Sequence, residues 1–393
     1  MSPAIARNTI VLPRPDGSLE RYVAGGKTLD YSPPTRVLMS RVFLAATHVV
    51  CDPLAEPDGS GRARLDWEST LAFRHHVWAW GLGVADAMDT AQRGMGLDWG
   101  TTAELIRRSG AEARSVGGRL ACGAGTDHLP RGSATIGSII SAYCDQCALI
   151  EDVGAQVVLL ASRALAASAR GPDDYRHVYD SVLGQVRGPV ILHWLGEVFD
   201  PALAGYWGYR DPEEAIAFIV DLVAEHVQKI DGIKVSLLNP SYETALRRAL
   251  PSQVRVYTGD DLNYPELIAG DGERVSDALL GIFDPITPAA SAALQALDLG
   301  DVVAFKRILE PTVPLARHVF ANPTFHYKTD IVFLAYLNGH QDHFRMVAGM
   351  ESARSIAHLS EVFRLADGGG VLVDPELATA RMRRFLALAG VVA

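Results

Sequence analysis

Lys234 is the residue of this chain with the clearest potential for covalent chemistry. It lies in the strand-like run Asp231-Gly-Ile-Lys234-Val-Ser-Leu. Burying an unpaired ammonium group is costly, and burial therefore lowers the pKa of a lysine. A neutral amine can attack a carbonyl group and form a Schiff base. The alternative is a lysine paired with a carboxylate, for example Asp260 or Asp89, and position alone does not decide between the two.

Lysine is also rare in this chain. Of the 36 basic residues, five are lysine: Lys27, Lys229, Lys234, Lys306 and Lys328. Further side chains with chemical potential lie at or shortly after the C-terminal ends of short apolar runs. They are His48, Asp89, Thr90, Asp127, His128, His193, Asp260 and Asp261.

The elements that must position these residues follow from a repeated pattern. Eight short apolar runs between residues 41 and 283 alternate with longer amphipathic stretches. This alternation predicts parallel strands with right-handed crossovers, and eight units in about 250 residues favour a (β/α)₈ barrel over a doubly wound sheet. In such barrels the reactive side chains come from the C-terminal ends of the strands, which is where the candidates lie.

Both ends of the chain carry additions to this α/β barrel. Residues 8–24 predict a hairpin, because a Pro-Asp-Gly turn separates two apolar runs. After residue 287 only helical patterns occur. We therefore predict an N-terminal extension at 1–35, a (β/α)₈ barrel at 36–298 and a C-terminal helical domain at 299–393.

The composition narrows the possible partners and compartments. The formal net charge of -10 repels phosphate backbones, so we expect no nucleic-acid partner. No apolar run approaches the roughly 20 residues that cross a bilayer, and the N-terminus lacks a secretion signal. The four cysteines are typical of a reducing cytoplasm. We expect a cytoplasmic protein with no membrane partner.

Two short motifs have simpler explanations than the ones they suggest. Gly26-Lys27-Thr28 resembles the end of a phosphate-binding loop, but Arg21 occupies the position that requires glycine. Cys144 and Cys147 form a single C-x-x-C pair in a helical pattern, which favours core packing over zinc or redox chemistry.

The lysine segment and its surroundings resemble a known family. Gly232-Ile-Lys234 stands about forty residues after Pro-Val-Ile-Leu-His193 and is followed by Val-Tyr-Thr-Gly259-Asp260-Asp261. This arrangement resembles the dihydrodipicolinate synthase/N-acetylneuraminate lyase family of Schiff-base aldolases and lyases, over about residues 40–345. The resemblance implies a (β/α)₈ barrel with C-terminal helices, and Lys234 as the Schiff-base lysine. We expect no cofactor.

The chain departs from this family at the residue that relays protons. The family carries a tyrosine in a Tyr-Asn-Val-Pro-like segment before the lysine, whereas this chain reads His193-Trp194-Leu195-Gly196. Histidine can shuttle protons near neutral pH, so we expect His193 to take that catalytic role. The alternative is a hydrogen-bonded barrel histidine without a role in catalysis.

The segment that binds the substrate carboxylate also differs. The family's Gly-Thr-Thr-Gly-Glu segment holds a 2-oxo acid, whereas this chain reads Asp89-Thr90-Ala91-Gln92-Arg93. The arginine that follows the tyrosine segment in dihydrodipicolinate synthase has no counterpart in Glu197–Asp200. We therefore predict a divergent branch that does not make dihydrodipicolinate.

An acidic barrel mouth favours a hydroxylated carbonyl substrate, such as a keto-sugar, a sugar-acid-like compound or a polyol-derived ketone. Asp260 and Asp261 disfavour a phosphate near strands seven and eight, where many barrels bind one. The residues we expect to contact substrate are Asp89, Thr90, Asp127, His128, Asp260 and Asp261.

Three classes of function remain open at this point. The first is a Schiff-base lyase, aldolase or dehydratase, working as a homo-oligomer (dimer or tetramer) on a small carbonyl compound. The second is a metal-dependent sugar isomerase or hydrolase in which Asp89, His128, His193 and Asp260 bind Zn²⁺ or Mn²⁺. The third is a barrel that binds a ligand without catalysis. Borohydride trapping separates the first class from the others.

Overall fold

The computed structural model describes residues 8–25, 30–56, 62–130 and 134–391. The Gly26-Lys27-Thr28 segment lies outside the described residues. The first element is the predicted antiparallel hairpin, with strands β1 (Thr9–Pro13) and β2 (Leu19–Val23). Gly17 in its turn has φ of 82°, a left-handed conformation that glycine adopts without steric cost.

Eight parallel strands then close into a barrel in the order β10-β3-β4-β5-β6-β7-β8-β9. The strands are β3 (Phe43–Ala46), β4 (Gly83–Asp86), β5 (Leu120–Ala124), β6 (Gln156–Leu159), β7 (Val190–Leu195), β8 (Ile230–Ser236), β9 (Arg255–Thr258) and β10 (Asp277–Leu280). Each strand overlaps one of the eight apolar runs, and helices separate successive strands. The predicted (β/α)₈ barrel is therefore confirmed.

The helices α1–α9 lie between and after the barrel strands. They are α1 (Trp67–Ala79), α2 (Trp99–Val116), α3 (Ile136–Asp152), α4 (Arg163–Ser168), α5 (Pro172–Gln185), α6 (Pro212–Glu225), α7 (Pro240–Ala249), α8 (Tyr264–Ala269) and α9 (Thr287–Asp298). Side-chain caps fix several of their N-termini. Asp66 accepts a hydrogen bond from the Ser69 N–H at 3.0 Å, and Asp98 accepts one from the Thr101 N–H at 3.0 Å.

The barrel strands point alternate side chains into the barrel and toward the helices. A separate apolar cluster fills the barrel interior: Leu44, Ala46, Ala85, Met88, Ala121, Val158, Ile191, Tyr257 and Leu279. Because side chains on a strand alternate with a period of two, His193 follows Ile191 on the inward face of β7. Lys234 pairs with both His193 and Tyr257 in the barrel register and shares that inward face.

Five further helices complete the chain: α10 (Val302–Leu309), α11 (Val313–Val319), α12 (Tyr327–Leu337), α13 (Ile356–Gly368) and α14 (Pro375–Leu388). Every residue of α12 is buried, because the helix is apolar around most of its circumference. The hairpin packs on α13, where the Tyr22 hydroxyl donates to Asp367 at 2.7 Å. The predicted domain boundary between residues 298 and 299 stays a prediction. Beyond that boundary, α12 contributes Tyr327 to the pocket at the barrel mouth.

None of the helices in the described part of the chain combines the length and apolar character needed to span a bilayer. The four cysteines are all free thiols, and Cys147 is buried in the core as expected.

Candidate active site

Lys234 is buried at the inward face of β8 and lines a small pocket at the C-terminal end of the barrel. Its Nζ lies more than 4.0 Å from every carboxylate oxygen of the described residues. Burial lowers the pKa of this lysine, and the negative charges of Asp261 and Asp89 oppose that shift. The amine is therefore shifted toward the neutral form that a nucleophile requires.

The absence of a side chain at Gly259 leaves room for Lys234. A Cβ atom at position 259 would lie 2.8 Å from Lys234 Cε and would also collide with the Ser236 hydroxyl. Any larger residue at position 259 would therefore clash with the side chains of Lys234 and Ser236.

His193 pairs with Lys234 in the barrel register and lines the same pocket. Its Nε2 lies 3.2 Å from the Ser236 hydroxyl, and its buried Nδ1 has no hydrogen-bond partner among the described residues. Burial, together with the nearby Lys234, lowers the pKa of His193 well below its usual range. A neutral imidazole has one donor and one acceptor nitrogen, as a proton relay requires.

Asp261 lies on the opposite side of the lysine, in the loop after β9. Its Oδ1 accepts a hydrogen bond from the Ile282 N–H at 2.8 Å, which joins this loop to the one after β10. Burial raises the pKa of Asp261 to about 7, although this hydrogen bond and Lys234 oppose the shift. Asp261 can therefore hold or release a proton near neutral pH.

Asp89 and Thr90 follow β4 in the short 3₁₀ turn Asp89–Ala91. Asp89 is half-buried and Thr90 is buried, and both line the pocket with Lys234. The Thr90 hydroxyl lies 2.9 Å from the hydroxyl of Tyr327. The Ala91 N–H already donates to the Met88 carbonyl at 3.1 Å, so it is not available to a substrate carboxylate.

Tyr327 is a pocket residue that the sequence analysis missed. It begins α12, and its ring stacks on Phe320 at a centroid distance of 4.5 Å. Burial, with a contribution from Asp89, raises the pKa of Tyr327 well above its usual value, so the phenol keeps its proton. The sequence analysis predicted a helix in this region, but no pattern in the sequence says that this helix begins at the barrel mouth.

Two connected spaces surround these residues. The first, the inner pocket, is lined by Asp89, Thr90, His193, Lys234, Ser236, Asp261 and Tyr327 together with apolar residues. Its volume of about 20 Å³ holds about one water molecule. The second, the vestibule, has a volume of about 460 Å³ and shares Asp89, His193, Leu195 and Phe199 with the inner pocket. The vestibule is therefore large enough for a small molecule, whereas the inner pocket is not.

Asp127 and His128 lie away from Lys234. Asp127 lines the vestibule, where Arg93 Nε donates to its carboxylate at 3.1 Å. Burial would raise the pKa of Asp127, but the charge and hydrogen bonds of Arg93 outweigh it and lower the pKa. His128 Nδ1 lies 2.7 Å from the Gln146 amide nitrogen.

Asp260 is buried but turns into its own loop. Its carboxylate accepts hydrogen bonds from the N–H groups of Leu262 and Asn263 at 2.9 Å and 3.1 Å, and from the Asn263 side chain at 2.9 Å. His48 is also buried and pairs with Asp284 at 2.7 Å. Neither Asp260 nor His48 lines the inner pocket.

The four residues considered as metal ligands do not meet at one point. Among the described residues, ligand atoms from three or more His, Cys, Asp or Glu side chains come within 4.8 Å of one another only at Asp180, Glu225 and His226. That group lies on α5 and α6, on the outside of the barrel.

The architecture is that of a (β/α)₈ barrel whose polar residues converge at the C-terminal ends of the strands. The chain belongs to the family described as "Protein of unknown function (DUF993)", whose profile matches residues 10–391. No curated protein matches the sequence.

Solved structures show the same fold at low sequence identity. Dihydrodipicolinate synthase from Thermotoga maritima has a TM-score of 0.63 and 14% identity, covering 85% of this chain and 100% of the other. The enzyme from Aquifex aeolicus has a TM-score of 0.62 and 13% identity, covering 83% and 97%. The enzyme from Bacteroides thetaiotaomicron has a TM-score of 0.62 and 15% identity, covering 84% and 99%. The chain therefore has the fold of these synthases.

Proposed function

We propose that this protein is a Schiff-base-forming lyase or aldolase, or a dehydratase, that acts on a small hydroxylated carbonyl compound. The observation that carries the proposal is the buried Lys234, which has no carboxylate within 4.0 Å and lines a pocket at the catalytic end of a (β/α)₈ barrel. The fold shared with dihydrodipicolinate synthases supports it.

The proposed reaction begins with the neutral Lys234 amine. Its nitrogen lone pair attacks the carbonyl carbon, the C–N bond forms, and the carbonyl oxygen takes up a proton to give a carbinolamine. Protonation of that hydroxyl then lets the C–O bond break, and water leaves as the iminium forms. The iminium withdraws electrons, so that a neighbouring C–C or C–O bond can break without an external oxidant or reductant.

Four side chains are available to move the protons of these steps. His193 has an unpartnered Nδ1 in the pocket wall, and Asp261 has a pKa near 7. The Tyr327 phenol and the Thr90 hydroxyl form a hydrogen-bonded pair at 2.9 Å beside them. We assign His193 the role of principal proton relay, because it pairs with Lys234 from the neighbouring strand and lines the same pocket.

The groups around the pocket favour a hydroxylated carbonyl compound, such as a keto-sugar or a sugar acid, over pyruvate. A carboxylate next to the carbonyl would lie near Asp89, where the Ala91 N–H is already hydrogen-bonded. Arg93 is engaged by Asp127, Gln146 and two backbone carbonyls. Asp89 instead offers acceptor oxygens to substrate hydroxyls.

The proposal includes a cytoplasmic homo-oligomer, a dimer or a tetramer. Four free thiols are typical of a reducing compartment. Sedimentation velocity on the purified chain would give the number of subunits, and a monomer would correct this part of the proposal.

The experiment is borohydride trapping followed by intact-mass measurement across a panel of keto-sugars, keto-acids and polyol ketones. The expected result is a mass increase equal to the reduced adduct of one compound, in the wild-type protein and in Lys229→Arg alike. Lys234→Ala and Lys234→Arg should both remain unlabelled. Lys229→Arg serves as the matched control, because that lysine directly precedes β8, at the end of the strand away from the pocket, and its Nζ donates to the Val186 carbonyl. Absence of any adduct across the panel would contradict the proposal.

A further inference from the structure

A second buried lysine, Lys328, lies in the wall of the vestibule. It directly follows Tyr327 at the start of α12, and 2% of its surface is exposed. Its Nζ lies 3.1 Å from the sulfur of Met95. A thioether is a weak acceptor, so this contact satisfies the ammonium group poorly.

No carboxylate compensates the charge of Lys328 at short range. Among the described residues, no Asp or Glu oxygen lies within 4.0 Å of its Nζ. Burial lowers the pKa of Lys328, while the more distant charges of Asp89 and Asp200 raise it and that of Arg163 lowers it. An ammonium group with this degree of burial is normally paired, because burying it unpaired is costly.

The other cations of the vestibule wall are already paired. Arg93 bonds Asp127, and Arg163 bonds Asp200. These two pairs cancel their own charges and leave Lys328 as a donor with unused N–H groups that faces the space. The space is large enough for a molecule of several carbon atoms, and its inner end opens on His193 and Asp89.

We propose that Lys328 binds an anionic oxygen group of the substrate, at the end of the molecule remote from the reacting carbonyl. The inference rests on the proposed function and narrows its substrate class to hydroxylated carbonyl compounds that carry a distant carboxylate or phosphate. Asp260 and Asp261 disfavour a phosphate in the loop after β9. Lys328 instead lies beside Met95, in the loop after β4.

The test measures binding by calorimetry in a Lys234→Ala background, so that imine formation does not contribute. The probes are D-fructose, 5-keto-D-gluconate and D-fructose 6-phosphate, which share a hydroxylated carbonyl skeleton and differ in the remote anionic group. At least one anionic probe should bind about tenfold or more tightly than fructose, because a buried charged hydrogen bond is strong. Whichever anionic probe binds more tightly than fructose shows whether the site takes a carboxylate or a phosphate.

Replacing the lysine should remove that preference and leave fructose binding unchanged. Lys328→Met keeps the shape and removes the charge, Lys328→Arg keeps the charge and should retain part of the preference, and Lys328→Gln replaces the Met variant if that variant does not fold. Equal binding of all three probes, no binding of either anion, or an equal loss for all probes in Lys328→Met would overturn the inference.

The two proposals fail in different ways. If the anion preference depends on Lys328 but borohydride labels nothing in the wild-type protein, the Schiff-base function is wrong and the anion site stands. If Lys234 is labelled but Lys328→Met changes no affinity, the function stands and the anion site is wrong.

Discussion

Burial controls the chemistry of the individual residues around Lys234. Desolvation favours the neutral form of four ionisable groups of the inner pocket: it lowers the pKa of Lys234 and His193 and raises the pKa of Asp261 and Tyr327. A site with these shifts can hold a neutral amine and exchange protons near neutral pH. Such a combination is typical of acid–base and nucleophilic sites.

At this scale the first prediction concerns His193. His193→Asn keeps a polar side chain but removes the relay, so turnover of the trapped substrate should fall on the order of 10²–10⁴-fold. Steady-state kinetics over a range of pH values would measure it. His226→Asn, on the outside of the barrel at the end of α6, is the matched control. Unchanged turnover and an unchanged pH profile would make His193 a packing residue.

The second prediction concerns Glu243, a buried carboxyl group of α7. Ser276 donates to its Oε1 at 2.7 Å, while its Oε2 has no partner among the described residues. Burial raises the pKa of Glu243 to about 7 from 4.5. The folded state therefore binds the proton more tightly than the unfolded state, and stability falls as the pH rises from about 4.5 to about 7.

Glu243→Gln should remove this loss of stability at higher pH, because the amide does not titrate. At pH 8 the variant should be more stable than the wild type by up to about 3 kcal/mol, whereas at pH 4 the two should be similar. Urea unfolding at both pH values measures the difference, with the exposed Glu214→Gln as the control. Parallel pH dependence of the wild type and Glu243→Gln would contradict the prediction.

The sequence indicated some site residues and could not indicate others. Lys234, His193, Asp89, Thr90 and Asp261 all follow or end barrel strands, and the structure brings them to one pocket. Their roles remain predictions. Asp260 and Asp261 stand side by side in the sequence, yet only Asp261 lines the pocket, because the Asp260 carboxylate is bonded to the N–H groups of its own loop.

At the scale of elements, the β/α repeat was readable because each strand is a short apolar run between amphipathic helices. The period-two alternation also gives the inward positions of β7 and β8 once the barrel is known. The docking of α12 was not readable. A helix that is apolar on most sides must be buried, but its partner depends on contacts between residues far apart in the chain, such as Thr90 and Tyr327.

The third prediction tests what α12 contributes. Tyr327→Phe keeps the ring stacked on Phe320 and removes the hydroxyl bonded to Thr90, so turnover should fall on the order of 10²-fold. The free energy of unfolding should change by only about 1 kcal/mol.

Tyr22→Phe is the matched control for this change. It removes a hydroxyl that bonds Asp367 at 2.7 Å on the hairpin, far along the chain from the pocket. It should cost a similar stability and leave turnover unchanged. Equal turnover in Tyr327→Phe and Tyr22→Phe would limit Tyr327 to packing.

At the scale of the whole molecule, the proposed substrate preference rests on the distribution of charge. The chain carries a net charge of -10, and Asp89 and Asp261 both line the inner pocket. Two like charges about 4 Å apart cost roughly 4 kcal/mol at an effective dielectric constant of 20. A carboxylate next to the reacting carbonyl is therefore disfavoured, whereas a remote anion at Lys328 is not.

The fourth prediction follows from this distribution of charge. A neutral keto-sugar should form a trapped adduct at lower concentration than pyruvate does. Asp89→Asn should weaken binding of the keto-sugar, because it removes a charged acceptor, and should strengthen binding of pyruvate. A crystal soaked in pyruvate that shows an imine on Lys234, with the carboxylate on the Thr90–Ala91 amides, would refute this.

The central claim is that Lys234, and not the second buried lysine Lys328, forms the covalent bond with the substrate. Peptide mapping of the borohydride-reduced protein by mass spectrometry tests it directly, because the two residues lie in different peptides. The account predicts that the added mass lies on Lys234, that Lys234→Ala abolishes it, and that Lys328→Met retains it. A label on Lys328, or one that persists in Lys234→Ala, would contradict the account.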